Sequence, residues 1–128
     1  MITIPEGTMR GPRDLIIIYT VNLNGMQPTP FAEFLLDRGA QIDARGPDGG
    51  TPLMAAAARS HIPEMVKLLL DRGARIDNRS DGGGTALMYS VAHSRTIEIV
   101  QMLLDHGAQI VDRNKGGMTP LMFAVQHS

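Results

Sequence analysis

Thr51-Pro52-Leu53-Met54-Ala55-Ala56-Ala57-Ala58 opens a unit that the chain says more than once. Its first four residues return as Thr85-Ala86-Leu87-Met88 and again as Thr119-Pro120-Leu121-Met122, each time 34 residues on. A second landmark keeps the same interval: Leu35-Leu36-Asp37-Arg38-Gly39-Ala40, Leu69-Leu70-Asp71-Arg72-Gly73-Ala74 and Leu103-Leu104-Asp105-His106-Gly107-Ala108. Two markers in phase at a period of this size are the signature of a solenoid of stacked repeats.

Each unit reads as helix, turn, helix and long loop. Thr51 suits an N-cap, because its hydroxyl can accept from an orphan backbone N–H, and Pro52 suits the first helical position, where no donor is needed. Leu53 to Ala58 continues with strong helix formers, and its alanines allow a neighbouring helix to come close. Arg59-Ser60-His61-Ile62 interrupts the pattern, and Pro63 to Arg72 forms a second helix with Glu64 near the positive end of its dipole. Gly73 ends that helix, since the residue just past a helix usually takes positive φ. Ala74 to Gly84, rich in Asp, Asn, Ser and Gly, makes the connection to the next Thr.

These residues resemble the ankyrin repeats. The family pattern Thr-Pro-Leu-His-x-Ala, then Val-x-x-Leu-Leu-x-x-Gly-Ala, is met by Thr51-Pro52-Leu53-Met54-Ala55-Ala56 and by Val66 to Ala74. It recurs at Thr85 and in part at Thr119, so it covers roughly residues 28 to 128. The resemblance implies an all-α solenoid with hairpin-like loops, whose loop tips and first helices form a concave binding surface. Two departures stand out. The period exceeds the family's ~33 residues, with the additional residue near Ser60 to Pro63 and Ser94 to Ile97. Met54, Met88 and Met122 replace the usual His, so the Thr caps lose a partner that the family supplies.

The expected organisation is a single array. Residues 1–50 hold a leader and a degenerate N-terminal repeat, 51–84 and 85–118 two full repeats, and 119–128 the first helix of a truncated one. Met1 to Arg13 reads as irregular. Asp14 to Asn22 is strand-like by propensity but is read as a helix, because stacking overrides local preference in an array. Asn24-Gly25 is a turn, and Pro30 to Gly39 the second helix of the degenerate repeat. Leu121, Met122, Phe123 and Val125 have no second helix behind them in this sequence. The expectation is a piece of a longer array, or pairing with another copy through that end.

Composition narrows the function. The net charge of −1, with no block of like charges, gives no support for binding nucleic acid or an anionic membrane. There is no cysteine, which excludes disulfides and thiol chemistry and is compatible with the cytoplasm, where the chain is expected to act. The apolar run Leu15 to Tyr19 is too short for a membrane span and lacks a small-residue cleavage site after it.

Candidate binding residues come from comparing equivalent positions. Arg45, Arg79 and Arg113 recur in the loops beside Asp43, Asp77 and Val111; they read either as a row of charges gripping an acidic partner or as solvated ion pairs between repeats. Ala44, Asn78 and Asp112, with Pro47, Asp81 and Lys115, vary on a constant frame, as recognition positions do. On the first helices Ala55, Tyr89 and Phe123 are equivalent, as are Arg59, His93 and His127. Tyr and Arg are favoured interface anchors. Tyr89 and Phe123 read equally as fillers between helices.

Other chemistry finds little support. His93 and His127 lack the further ligands a metal needs. The Gly runs at 49–50 and 82–84 precede each Thr in phase and lack a GxxxxGK[ST] pattern, so they are turn residues. Met54, Met88 and Met122 share one repeat position and read as packing. No catalytic constellation converges, so no enzyme, cofactor or metal is expected. The expected role is binding another protein, as a scaffold or as an inhibitor or immunity-type protein. The rival is a structural segment of a longer solenoid, or a homodimer module; more remote is an appendage to an enzyme.

Overall fold

A computed structural model describes residues 29–59, 63–93 and 96–126. The leader, the helix expected over 14–22, the Asn24-Gly25 turn, residues 60–62 and 94–95 of the inter-helix turns, and His127 lie outside the described residues.

Six helices follow in order: α1 (Thr29–Asp37), α2 (Pro52–Arg59), α3 (Pro63–Asp71), α4 (Ala86–His93), α5 (Ile97–Asp105) and α6 (Pro120–Gln126). No strand occurs among the described residues. The threonines do cap: the Met54 N–H donates to Thr51 Oγ1 at 3.4 Å, Met88 to Thr85 at 3.3 Å and Met122 to Thr119 at 3.3 Å. At the other end Gly39, Gly73 and Gly107 take φ of +98°, +93° and +95°. Each closes its helix with a paired motif. Gly73 N–H donates to Leu70 O and Ala74 N–H to Leu69 O, at 3.1 and 2.9 Å, and the same pair of bonds recurs at 39–40 and 107–108.

The helices form two rows. α2, α4 and α6 stack in one; α1, α3 and α5 stack in the other, and α2 packs most extensively on α4. Small residues make that approach feasible: Ala56 and Ala57 of α2 and Ser90 of α4 are fully buried. Ser90 occupies the repeat position of Ala56, and its hydroxyl donates to Leu87 O at 2.7 Å, which removes the cost of burying it. Between the rows lie Leu53, Met65, Val66, Leu69, Leu87, Ile99 and Leu103, each no more than 2% exposed. Burial of a side chain of this size contributes about 1.5–3 kcal/mol.

The loops are joined edge to edge. Each tip is a turn: Gly49 N–H donates to Gly46 O, Gly83 to Ser80 O and Gly117 to Asn114 O, at 3.0, 2.9 and 3.0 Å. Successive tips then bond through backbone, Asp81 N–H to Asp48 O at 3.0 Å and Lys115 N–H to Gly82 O at 2.9 Å. Gly49 and Gly83 need their glycine twice over. Their φ values are +73° and +81°, and an added Cβ would stand 2.9 Å from Asp81 N and 2.8 Å from Lys115 N.

Candidate partner-binding groove

The first-helix row faces the loop tips across a groove of about 550 Å³. Its floor is one face of α2, where Ala55, Ala58 and Arg59 follow at helical spacing over the buried Met54. One wall is the first loop tip, Gly46, Pro47 and Asp48; the other is Tyr89 and His93 of α4. The groove has a simple origin in the repeat. Ala55 and Tyr89 hold equivalent positions, so a methyl group in one unit leaves the room that a phenol ring bounds from the next.

Tyr89 and His93 are one turn apart and their rings stack, with centroids 6.4 Å apart and planes at 22°. The Tyr89 hydroxyl is 2.9 Å from Ser80 Oγ, which also accepts from the Gly84 N–H at 3.1 Å. Tyr89 is thus anchored to the second loop and half-buried, while one face still lines the groove. The same two rings border a second recess of about 130 Å³, where Met88, Ala92, Asn114 and Phe123 continue the wall.

The loop arginines are committed inside the array. Arg45 donates to Gly49 O at 2.8 Å and also to Arg79 O. Arg79 donates to Gly83 O at 3.0 Å and Arg113 O at 2.8 Å, and pairs with Asp112 at 3.1 Å. Arg113 holds Gly117 O at 2.9 Å. A planar guanidinium holds its donors in a fixed geometry, so less rotamer freedom is lost per hydrogen bond than with a lysine. These bonds staple each tip to itself and to the next. Asp43 Oδ1 accepts from the Arg75 backbone N–H at 3.1 Å, and Arg75 lies 3.7 Å from Asp77.

The residues singled out by equivalence therefore separate. Pro47, Arg59, Tyr89 and His93 come together in the larger groove, and Phe123 joins the last two in the smaller. Ala44 is 4% exposed and offers a partner almost no surface, because its methyl group turns into the array beneath its loop. Asn78 and Asp112 are half-buried beside the staples; Asp81 and Lys115 are exposed at the tips. Met54, read as packing, is 3% exposed and belongs to the core, whereas Ala58 and Asp48 line the groove without having been singled out. Their signal in the sequence is the run of small residues on one helix face, legible only once α4 is known to face it.

Charge is unevenly placed. Asp48 lies at the loop end of the groove and Arg59, exposed in the last turn of α2, at the helix end. Arg38 stacks over the Phe34 ring at 4.5 Å and Arg72 pairs with Asp37 at 2.9 Å. Arg59 is the one arginine among the described residues with no partner. No cluster of three or more His, Asp or Glu with metal-site geometry occurs among the described residues, and none of their helices is long and apolar enough to cross a membrane.

No curated protein matches the chain. The family model for ankyrin repeats (3 copies) matches residues 17–114 and 82–128, which together span the whole described array. With its stacked helix pairs and joined loop tips, the chain belongs to the ankyrin repeat family.

Proposed function

We propose that this chain is a non-catalytic module that binds another protein in the groove between its loop tips and first helices. Ankyrin repeats are generally protein–protein interaction modules. The observation that carries the reading to this site is the convergence of Pro47, Arg59, Tyr89 and His93 around an apolar floor of Ala55 and Ala58. A preformed groove loses little ordering entropy on binding, so a few anchors suffice for affinity. The remaining contacts proposed at the rim are Asn78, Asp81, Asp112 and Lys115, with the exposed faces of Arg45, Arg79 and Arg113. Action in the cytoplasm, and occlusion of another protein's surface in the manner of an inhibitor, belong to the same reading.

The test uses the absence of natural cysteine. Ala58→Cys, folded first and then labelled with a bulky maleimide, fills the groove at one site. Peptides selected from a random-peptide phage library on the unmodified chain should lose at least about tenfold in affinity for the labelled one, a step of about 1.4 kcal/mol. Unchanged affinity would remove the groove from the proposal.

A second reading is favoured by α6. Leu121 is 72% and Val125 71% exposed, and Ile110 and Val111 in the loop before α6 are 62% and 74% exposed. An exposed apolar helix of this kind suits self-association. Pro47 stands where Asp81 and Lys115 donate their backbone N–H groups, and proline has none. The first loop of a second copy therefore cannot extend the ladder at Gly116 O, and a pair of copies would meet α6 to α6. Light scattering over a concentration series checks this: a dimer that dissociates on Leu121→Asp is the expected result, and a monomer at all concentrations would eliminate it.

A further inference from the structure

We infer that the segment bound in the groove carries an aspartate or glutamate that seats on Arg59, next to an apolar side chain on the floor of Ala55 and Ala58. The inference rests on the groove reading above and adds the chemistry of the occupant. Six of the seven arginines among the described residues hold a carbonyl, a carboxylate or an aromatic face of the array itself. Arg59 holds none, is exposed and lines the groove. An exposed guanidinium binds a carboxylate through two parallel hydrogen bonds, which fixes orientation as well as charge.

The opposite end selects against a polyanion. Asp48 lines the groove there and Asp81 is exposed on the neighbouring tip, so a string of phosphates would meet carboxylates within one segment's length. A peptide with one acidic residue toward Arg59 and a neutral or basic residue toward Asp48 matches both ends. The floor between them is wide enough for a side chain such as Leu or Met because positions 55 and 58 are alanines.

The probes are the phage-selected peptides, synthesised with a fluorophore and titrated by fluorescence anisotropy. The expected set carries Asp or Glu at a constant spacing from a bulky apolar residue. Arg59→Gln weakens those peptides about tenfold or more, the scale of a lost charge-assisted hydrogen bond. Selection repeated on Arg59→Glu should replace the acidic residue with Lys or Arg. Arg59 also sits where a cation suits the α2 dipole, so melting curves accompany both variants, and Arg59→Gln supplies the neutral case if the reversal perturbs the helix. Peptides with no acidic preference, or equal affinity for wild type and both variants, would overturn the inference. If the label at position 58 abolishes binding while the Arg59 variants do not, the groove stands and the acidic partner is wrong. If the label leaves binding intact, or no peptide is enriched, the groove reading falls and this inference with it.

Discussion

Leu87→Ala is expected to lower the unfolding free energy by about 3 kcal/mol, whereas Leu121→Ala changes it by less than about 0.5 kcal/mol. The two leucines hold the same repeat position and begin the same kind of helix. Leu87 is 2% exposed because α4 lies between α2 and α6, so its loss removes apolar contacts and leaves a cavity. Leu121 is 72% exposed, and its truncation takes away surface that water already touches. Urea unfolding followed by circular dichroism measures both. A large loss at both positions would mean that another molecule covers α6 in solution, since no neighbour among the described residues accounts for it.

Gly83→Ala and Gly117→Ala make the second contrast. Both glycines have φ near +80°, so an alanine pays the left-handed strain of about 1–2 kcal/mol at either site. At Gly83 the new Cβ also stands 2.8 Å from Lys115 N and must push the third loop away, breaking the Lys115 to Gly82 bond. Overpacking of this kind adds about 1–3 kcal/mol. At Gly117 nothing lies within 4 Å of the added carbon. Gly83→Ala should therefore cost about 3 kcal/mol and Gly117→Ala about half as much. Melting curves that shift equally would show that the tips are not in close contact.

Helix boundaries were legible in the chain because their causes are local. Thr at the cap, Pro at the first turn and Gly just past the end each satisfy or relieve a backbone group within four residues, and the structure places a helix start or stop at each. The loops were legible only in part. Their Gly and Asp announce turns, and among the described residues those turns are joined by single backbone bonds with no strand formed.

The candidate site was legible as a set of equivalent positions, and tertiary structure sorted the set. The arginines at 45, 79 and 113 look alike to Arg59 in any list of exposed cations. Three-dimensional register hands each of the first three a carbonyl in its own tip and brings the backbone of the next loop to Arg45 and Arg79; Arg59 receives nothing. Ala44 varies between repeats as a contact residue would, yet its burial depends on how the loop folds back, which no spacing encodes.

By itself the sequence determined that this is a repeat array, where its helices start and stop, and which family it resembles, because those follow from periodicity and from interactions within a few residues. Only the tertiary structure decided which arginine among the described residues is unpaired, which of Leu53, Leu87 and Leu121 lies open, and where a groove forms. Each of those depends on what the neighbouring repeat presents 34 residues away, and identical residues diverge when one neighbour is a helix and another is water.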